Sequence, residues 1–201
     1  MDLLRFTSRT AVCLALLAVP LRADGIFDDA HLLRFPDIHG DTVAFTYSGD
    51  IFTVDAAGGR ARRLTTGEGL ELFPRFSPDG KWIAFSSSDA GRSEVYVQAF
   101  PEGGGRWQVT GRGALPCWSR DGKELFYVDG SNMMAVAVTT SPSFAFGTAQ
   151  RLFSLEFQTA VDVNRNWDVA PDGRFLVVLS ASKQSLAGHI NVVQNWFADL
   201  R

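Results

Sequence analysis

Cysteine, histidine, positive charge and long apolar runs are all scarce in this chain, and each scarcity excludes something. The sequence has two cysteines in 201 residues, Cys13 and Cys117. Cys13 falls in the apolar N-terminal stretch, so the folded part has one thiol and no internal disulfide. Cys117 sits in an apolar strand pattern and reads as a small core residue. The three histidines, His31, His39 and His189, fall far apart, in a leader segment, a turn and a strand. Metal sites usually gather ligands at short spacing, as His-Glu-x-x-His does, so no metal is expected. With 19 Lys+Arg against 22 Asp+Glu, the net charge is −3. A mildly acidic surface argues against nucleic acid or anionic lipid as partner.

Signatures of catalysis are missing too. There is no Gly-x-Ser-x-Gly nucleophile elbow. Ser180-Ala-Ser-Lys183 matches Ser-x-x-Lys by letter, but it lies at a strand end and has no companion Ser-Asp-Asn or Lys-Thr-Gly. The Asp-Gly pairs ending at 80, 122 and 173 supply one carboxylate each, too few for a calcium loop. Gly103-Gly104-Gly105 precedes no helical pattern, so it is no phosphate cradle. No cofactor is expected, and the chain does not read as an enzyme.

The one sustained apolar run is at the start. Arg5 and Arg9 precede the stretch from Thr10 to Leu21, and Leu21-Arg22-Ala23 offers a cleavage site. This is the pattern of a secretory signal peptide over residues 1–23. Its run of about 12 apolar residues is short of the ~20 that a bilayer span needs. Cleavage near Ala23 would remove one acid and three arginines, taking the formal charge from −3 to about −5. The remainder, residues 24–201, is expected in the periplasm or outside the cell, with no membrane span.

What the chain does have is glycine (19 residues), aromatics (12%) and an internal repeat. Four segments superimpose: Phe73-Pro-Arg-Phe-Ser-Pro-Asp-Gly-Lys-Trp-Ile-Ala-Phe85, Leu115 to Tyr127, Asn166 to Val178, and the shorter Phe35 to Phe45. Gly40, Gly80, Gly122 and Gly173 align, at spacings close to the period of a β-propeller blade. In Ser77-Pro78-Asp79-Gly80, proline presets φ, aspartate tolerates the next position and glycine supplies φ > 0. This predicts a hairpin of type I turn plus G1 bulge. Asp79, Gly80, Asp121, Gly122, Asp172 and Gly173 are accordingly turn residues. The reading is all-β, with about four blades near 32–66, 70–110, 114–153 and 164–198, a partial or small propeller. The fourth unit stops without an outer strand; residues 24–31 are a weak candidate for supplying it.

The hairpin Pro-x-Phe-Ser-Pro-Asp-Gly-Lys-x-Ile-Ala-Phe, followed by the strand Val95-Tyr96-Val97 and a Gly-Gly turn, resembles the TolB-type, WD40-like propeller repeat. Residues 32 to about 90 resemble the start of the N-terminal propeller of tricorn-type proteases, through Leu33 to Ile38, Gly49 to Val54 and Gly58 to Thr65. Residues 95–201 resemble the last blades of the sensor propeller of bacterial serine/threonine kinases, through Val95 to Pro101, Trp118 to Tyr127 and Val192 to Trp196. The resemblance implies a start and an end with middle blades missing, since such relatives usually have six or more. It also implies that catalysis in those relatives belongs to other domains.

Trp82, Trp107 and Trp196 read as packing between blades. Arg75, Trp118, Trp167 and Asp168 fall beside the innermost strands and would lie near a central channel if the ring closes. They are the expected binding site. The expected function is a non-catalytic scaffold that holds a protein or peptide partner. The alternative is the propeller fragment of a tricorn-type peptidase whose catalytic domain is on another chain. An open arc of four blades exposes two apolar faces, and a homodimer completing a ring would cover them.

Overall fold

Period-2 alternation of apolar residues between short turns yields strands throughout the computed structural model, which describes residues 33–101, 105–154 and 165–178. The expected signal peptide, segment 24–31, His31, the strand at 189–196 with His189 and Trp196, and Ser180 to Lys183 lie outside the described residues.

The first sheet is β1 (Arg34–His39), β2 (Thr42–Tyr47), β3 (Asp50–Asp55) and β4 (Arg62–Arg63), antiparallel in chain order. The second repeats it with β5 (Glu71–Phe76), β6 (Trp82–Ser87), β7 (Glu94–Ala99) and β8 (Arg106–Gln108). The third has β9 (Ala114–Trp118), β10 (Glu124–Asp129), β11 (Asn132–Thr139), β12 (Ala145–Phe146) and β13 (Gln150–Ser154). Of the fourth, β14 (Trp167–Val169) and β15 (Phe175–Val177) are described. The short β12 was not anticipated. The eight-residue β11 has room for two partners, pairing with β13 along Asn132–Ala135 and with β12 at Val138 and Thr139.

Alternation places each middle strand between two neighbours. In β6, Ile83 and Phe85 pack on Ala44 and Ile51 of the first sheet. Trp82 and Ala84 face the other way, onto Leu125, Tyr127 and Val136 of the third. In β10, Phe126 and Val128 meet Trp167, Phe175 and Val177 of the fourth. Phe85, Ile83 and Leu125 are fully buried, each worth roughly 1.5–3 kcal/mol by transfer from water. The first strands lie side by side, β1 beside β5 and β5 beside β9, and so form the inner edge of the array.

Each of these inner strands carries a bulge at an X-Pro pair. Phe35, Phe73 and Leu115 have φ of 55°, 58° and 60°, each just before a proline. Each X-Pro pair stands opposite one residue of the next strand, where the register shifts. Proline needs no ladder partner, which suits it to the unpaired position. The fourth sheet has Asn166-Trp167 at this place and pairs without a bulge, Trp167 opposite Val177.

The turns of the second and third sheets are held by side chains as well as backbone. Gly80 N–H donates to Ser77 O at 2.9 Å, and Ser77 N–H to Trp82 O at 2.8 Å. The Ser77 hydroxyl donates to Asp79 Oδ1 (2.6 Å) and accepts from Trp82 N (3.0 Å). Ser119, Asp121 and Glu124 reproduce this at 2.7 and 2.9 Å. Gly80 has φ +68°, and a Cβ there would run into the His39 ring, so first and second sheets meet closely at this glycine.

The fourth hairpin departs from the repeat. Ala170 stands where Ser77 and Ser119 stand, and its amide bonds Arg174 O, one residue earlier than the pattern requires. Val169 therefore pairs with Phe175, not Leu176. A slip of one residue exchanges the two faces of a strand. Phe175 and Val177 turn toward the third sheet, and Leu176 (45%) and Val178 (63%) are exposed.

Candidate functional site

The inner strands bring four chemistry-bearing residues to equivalent repeat positions: Asp37 on β1, Arg75 on β5, Cys117 on β9 and Asp168 on β14. Each lies just past its strand's bulge or, in β14, where the bulge would be. Arg75 Nη1 donates to Asp37 Oδ1 at 2.7 Å, while Asp37 Oδ2 accepts from Phe76 N at 2.7 Å. Arg165 Nη2 donates to Asp168 Oδ1 at 2.6 Å, and its guanidinium lies 5.2 Å from the Trp167 ring centroid. Burial pushes the Cys117 thiol up; the nearby Arg165 guanidinium opposes that only in part.

A cavity of about 420 Å³ opens among these strands. Phe35, Pro36 and Phe73 give it an apolar wall, and Leu176 and Val178 another. Arg75, Arg165, Asn166, Trp167 and Asp168 supply the polar lining. The structure thus places Arg75, Trp167 and Asp168 around one cavity. Trp118, expected beside them, lies instead between the second and third sheets. Its ring packs near Phe144, which also contacts Trp82 and Trp107, and its Nε1–H donates to Arg75 O at 3.0 Å. It supports Arg75 from behind through the backbone.

Arg165, Asn166 and Asp37 were not singled out from the sequence. Asp37 could have been found, because it occupies the repeat position of Arg75 with opposite charge. Arg165 precedes the repeated core in a segment with no counterpart motif, and Asn166 opens the fourth repeat, at the place held by Phe35, Phe73 and Leu115. The turn residues Asp79, Gly80, Asp121, Gly122, Asp172 and Gly173 lie at hairpin tips. The Ser119 hydroxyl and the Lys123 amide hold the Asp121 carboxyl below the usual range.

A second polar cluster sits at the end of the second sheet away from the Ser77–Gly80 turn. Glu71 and Glu94, both buried, flank Ser87 across the three strands. Arg106 pairs with Glu71 Oε1 (3.1 Å) and Asp89 Oδ2 (3.0 Å) and stacks 4.0 Å over Tyr96. Burial raises the Glu71 carboxyl above its ordinary value, although Thr65 and Arg106 pull it down. On Asp89 burial works upward too, but the Gly69 amide and Arg106 outweigh it and hold that carboxyl low. Among the described residues no trio of His, Cys, Asp or Glu is arranged to hold a metal ion.

A family model described as the tricorn protease N-terminal β-propeller domain matches residues 30–189. Tricorn protease homolog 1 of Streptomyces coelicolor is 39% identical over 97 residues, 46% of this chain and 9% of the relative. A protein of Sulfurisphaera tokodaii named as a tricorn-like protease N-terminal subunit is 35% identical over 78 residues, 39% of this chain and 36% of the relative. TolB from Acinetobacter baumannii superimposes with a TM-score of 0.53 at 21% identity, covering 73% of this chain and 37% of that one. That likeness shows the fold. The chain spans much less than two thirds of each of these proteins.

Proposed function

The chain belongs to the family of tricorn protease N-terminal β-propeller domains, and from that premise we propose that it is a non-catalytic module that binds a protein or peptide partner at its inner strands. The cavity between the inner strands carries this reading: it combines the apolar walls of Phe35, Phe73, Leu176 and Val178 with the polar side chains of Arg75, Arg165 and Trp167. Rigid sheets presenting such a mouth are the usual support for partner binding in propellers. The N-terminal pattern over residues 1–23 adds export to the proposal.

The test is fluorescence anisotropy of a labelled random-peptide panel with amidated C-termini, read against the full chain. A saturable peptide whose Kd rises about tenfold or more in Arg75→Ala, a loss of about 1.4 kcal/mol, supports the reading. Binding by no peptide, or equal binding by the variant, overturns it. The second reading is a propeller that serves a peptidase on a separate chain. It draws on the name of the Sulfurisphaera tokodaii relative, an N-terminal subunit. Peptide hydrolysis that appears only when a separately encoded peptidase chain is added would favour it.

A further inference from the structure

The turns of successive hairpins meet closely until the last. A Cβ at Gly80 would run into the His39 ring, and one at Gly122 would lie 3.6 Å from Pro78 Cδ. At Gly173 a Cβ would have nothing within 4 Å. The fourth hairpin thus stands off from the third, and a cavity of about 540 Å³ opens between them. It shares no lining residue with the inner-strand cavity. Packed interiors hold few voids larger than a water molecule, so a space of this size between two sheets is informative.

The repeat shows what is missing there. Just after its turn, the second sheet carries Trp82, which meets Trp107 and Phe144 and fills the space against the third sheet. The third sheet has Glu124 at that position, since Gly122 aligns with Gly80. Alternation along β10 puts Glu124 on the same face as Phe126, whose ring meets Phe175 of the fourth sheet. A carboxylate therefore stands where the preceding interface has an indole, beside a wall formed by Phe126, Leu152, Val169 and Pro171. Glu124 is exposed, and among the described residues its side chain has no ion pair or hydrogen bond.

Charge narrows the class of ligand. Arg120 and Asp121 also line the cavity. Asp121 already accepts from the Ser119 hydroxyl at 2.7 Å and the Lys123 amide at 3.1 Å. The carboxylates of Asp121 and Glu124 outweigh the Arg120 guanidinium by a single negative charge, and Glu124 is the carboxylate without a partner. A ligand with a single positive charge balances that surplus through a charge-assisted hydrogen bond. The apolar wall covers a hydrocarbon body attached to the charge, as it would the stem of a lysine.

We propose that the cavity between the third and fourth hairpins binds an organic ammonium ion, its charge on Glu124 and its hydrocarbon body against Phe126, Leu152, Val169 and Pro171. The site is separate from the inner-strand cavity and does not depend on the peptide reading above.

The experiment follows the Leu152 methyl resonances of the full chain, assigned by their loss in Leu152→Met. Hexylammonium, methylammonium, hexanol and hexanoate are titrated at pH 7 and constant ionic strength. Hexylammonium is expected to shift the resonances saturably and to bind at least about fivefold more tightly than each of the others. Glu124→Gln is expected to bring hexylammonium down to the affinity of hexanol. Glu68→Gln, which removes the same charge from an exposed position before β5, is expected to leave the margin unchanged. Glu124→Trp places in the third sheet the residue type that fills the preceding interface, and is expected to exclude every ligand. A parallel titration with N-acetyl-lysine N-methylamide distinguishes the sources of the ammonium group: tighter binding than hexylammonium assigns the site to a partner's lysine, weaker binding to a free amine. An absence of saturable shift with hexylammonium, tighter binding of hexanoate, a margin over hexanol that survives Glu124→Gln, or unchanged binding in Glu124→Trp would each overturn the proposal.

Discussion

At the scale of single residues, the repeat is held by hydroxyls as much as by proline and glycine. The Ser77 and Ser119 side chains each donate to an aspartate and accept from an amide five residues on. Turn chemistry made Asp79, Gly80, Asp121 and Gly122 legible from sequence, because φ preferences are local. The serine network was not legible, since it joins residues whose approach depends on the bulge. Glu71 is a residue-scale case where burial opposes charge. The folded chain holds this proton more tightly than the unfolded chain, whose ordinary value is 4.5. The associated stability is fully present below that value and is lost as pH rises through the folded one. Glu71→Gln mimics the protonated form at every pH. Its melting temperature relative to wild type is therefore expected to climb as pH rises above the ordinary value of 4.5. A difference that stays flat or falls over that range would show that Arg106, not burial, governs the carboxyl.

At the scale of the element, the fourth hairpin shows how one missing hydroxyl changes a register. Ala170-Pro171-Asp172-Gly173 looks like its counterparts and predicts the same hairpin, yet β15 pairs one residue out of step. Two causes combine. Ala170 cannot accept the amide five residues on, so nothing fixes the bulge after the glycine. The strand itself is apolar on both faces, Phe175 and Val177 on one and Leu176 and Val178 on the other, so either face can be buried. The sequence signal was strong for the turn and silent about the register. The same holds for Trp167 and Asp168, whose place near the inner strands was legible, whereas Arg165 came to the cavity from a stretch without periodicity. Ala170→Ser is expected to favour the register of the other turns, one hydrogen bond being worth about 1 kcal/mol, or a factor of about five. Leu176 would then move to the buried face. Thiol labelling of Leu176→Cys, with Cys117 buried as an internal silent reference, should slow by about that factor when Ala170→Ser is added. An unchanged labelling rate would mean that packing of Phe175 against Phe126 and Phe153, not the missing hydroxyl, sets the register.

At the scale of the whole molecule, stability in a repeat array is close to a sum of unit and interface terms. The overall architecture was readable because each blade repeats the same local code, and a repeat reveals itself by self-similarity. The unequal strength of the interfaces was not, because it depends on which neighbours each sheet has. The second and third sheets are covered on both faces, and every residue of β6 is buried. Among the described residues, β15 packs on one side, with Leu176 and Val178 on its exposed face. Two or three large apolar side chains at roughly 1.5–3 kcal/mol each separate these environments. Amide hydrogen exchange on the full chain should therefore grade along it. Protection in β6 and β10 is expected to exceed that in β15 by about a hundredfold or more, with β15 opening below the global unfolding limit. Uniform protection through β15 would mean that the fourth sheet is locked into the same cooperative unit, and its apolar outer face would then have to be covered by something that binds as strongly as a neighbouring blade.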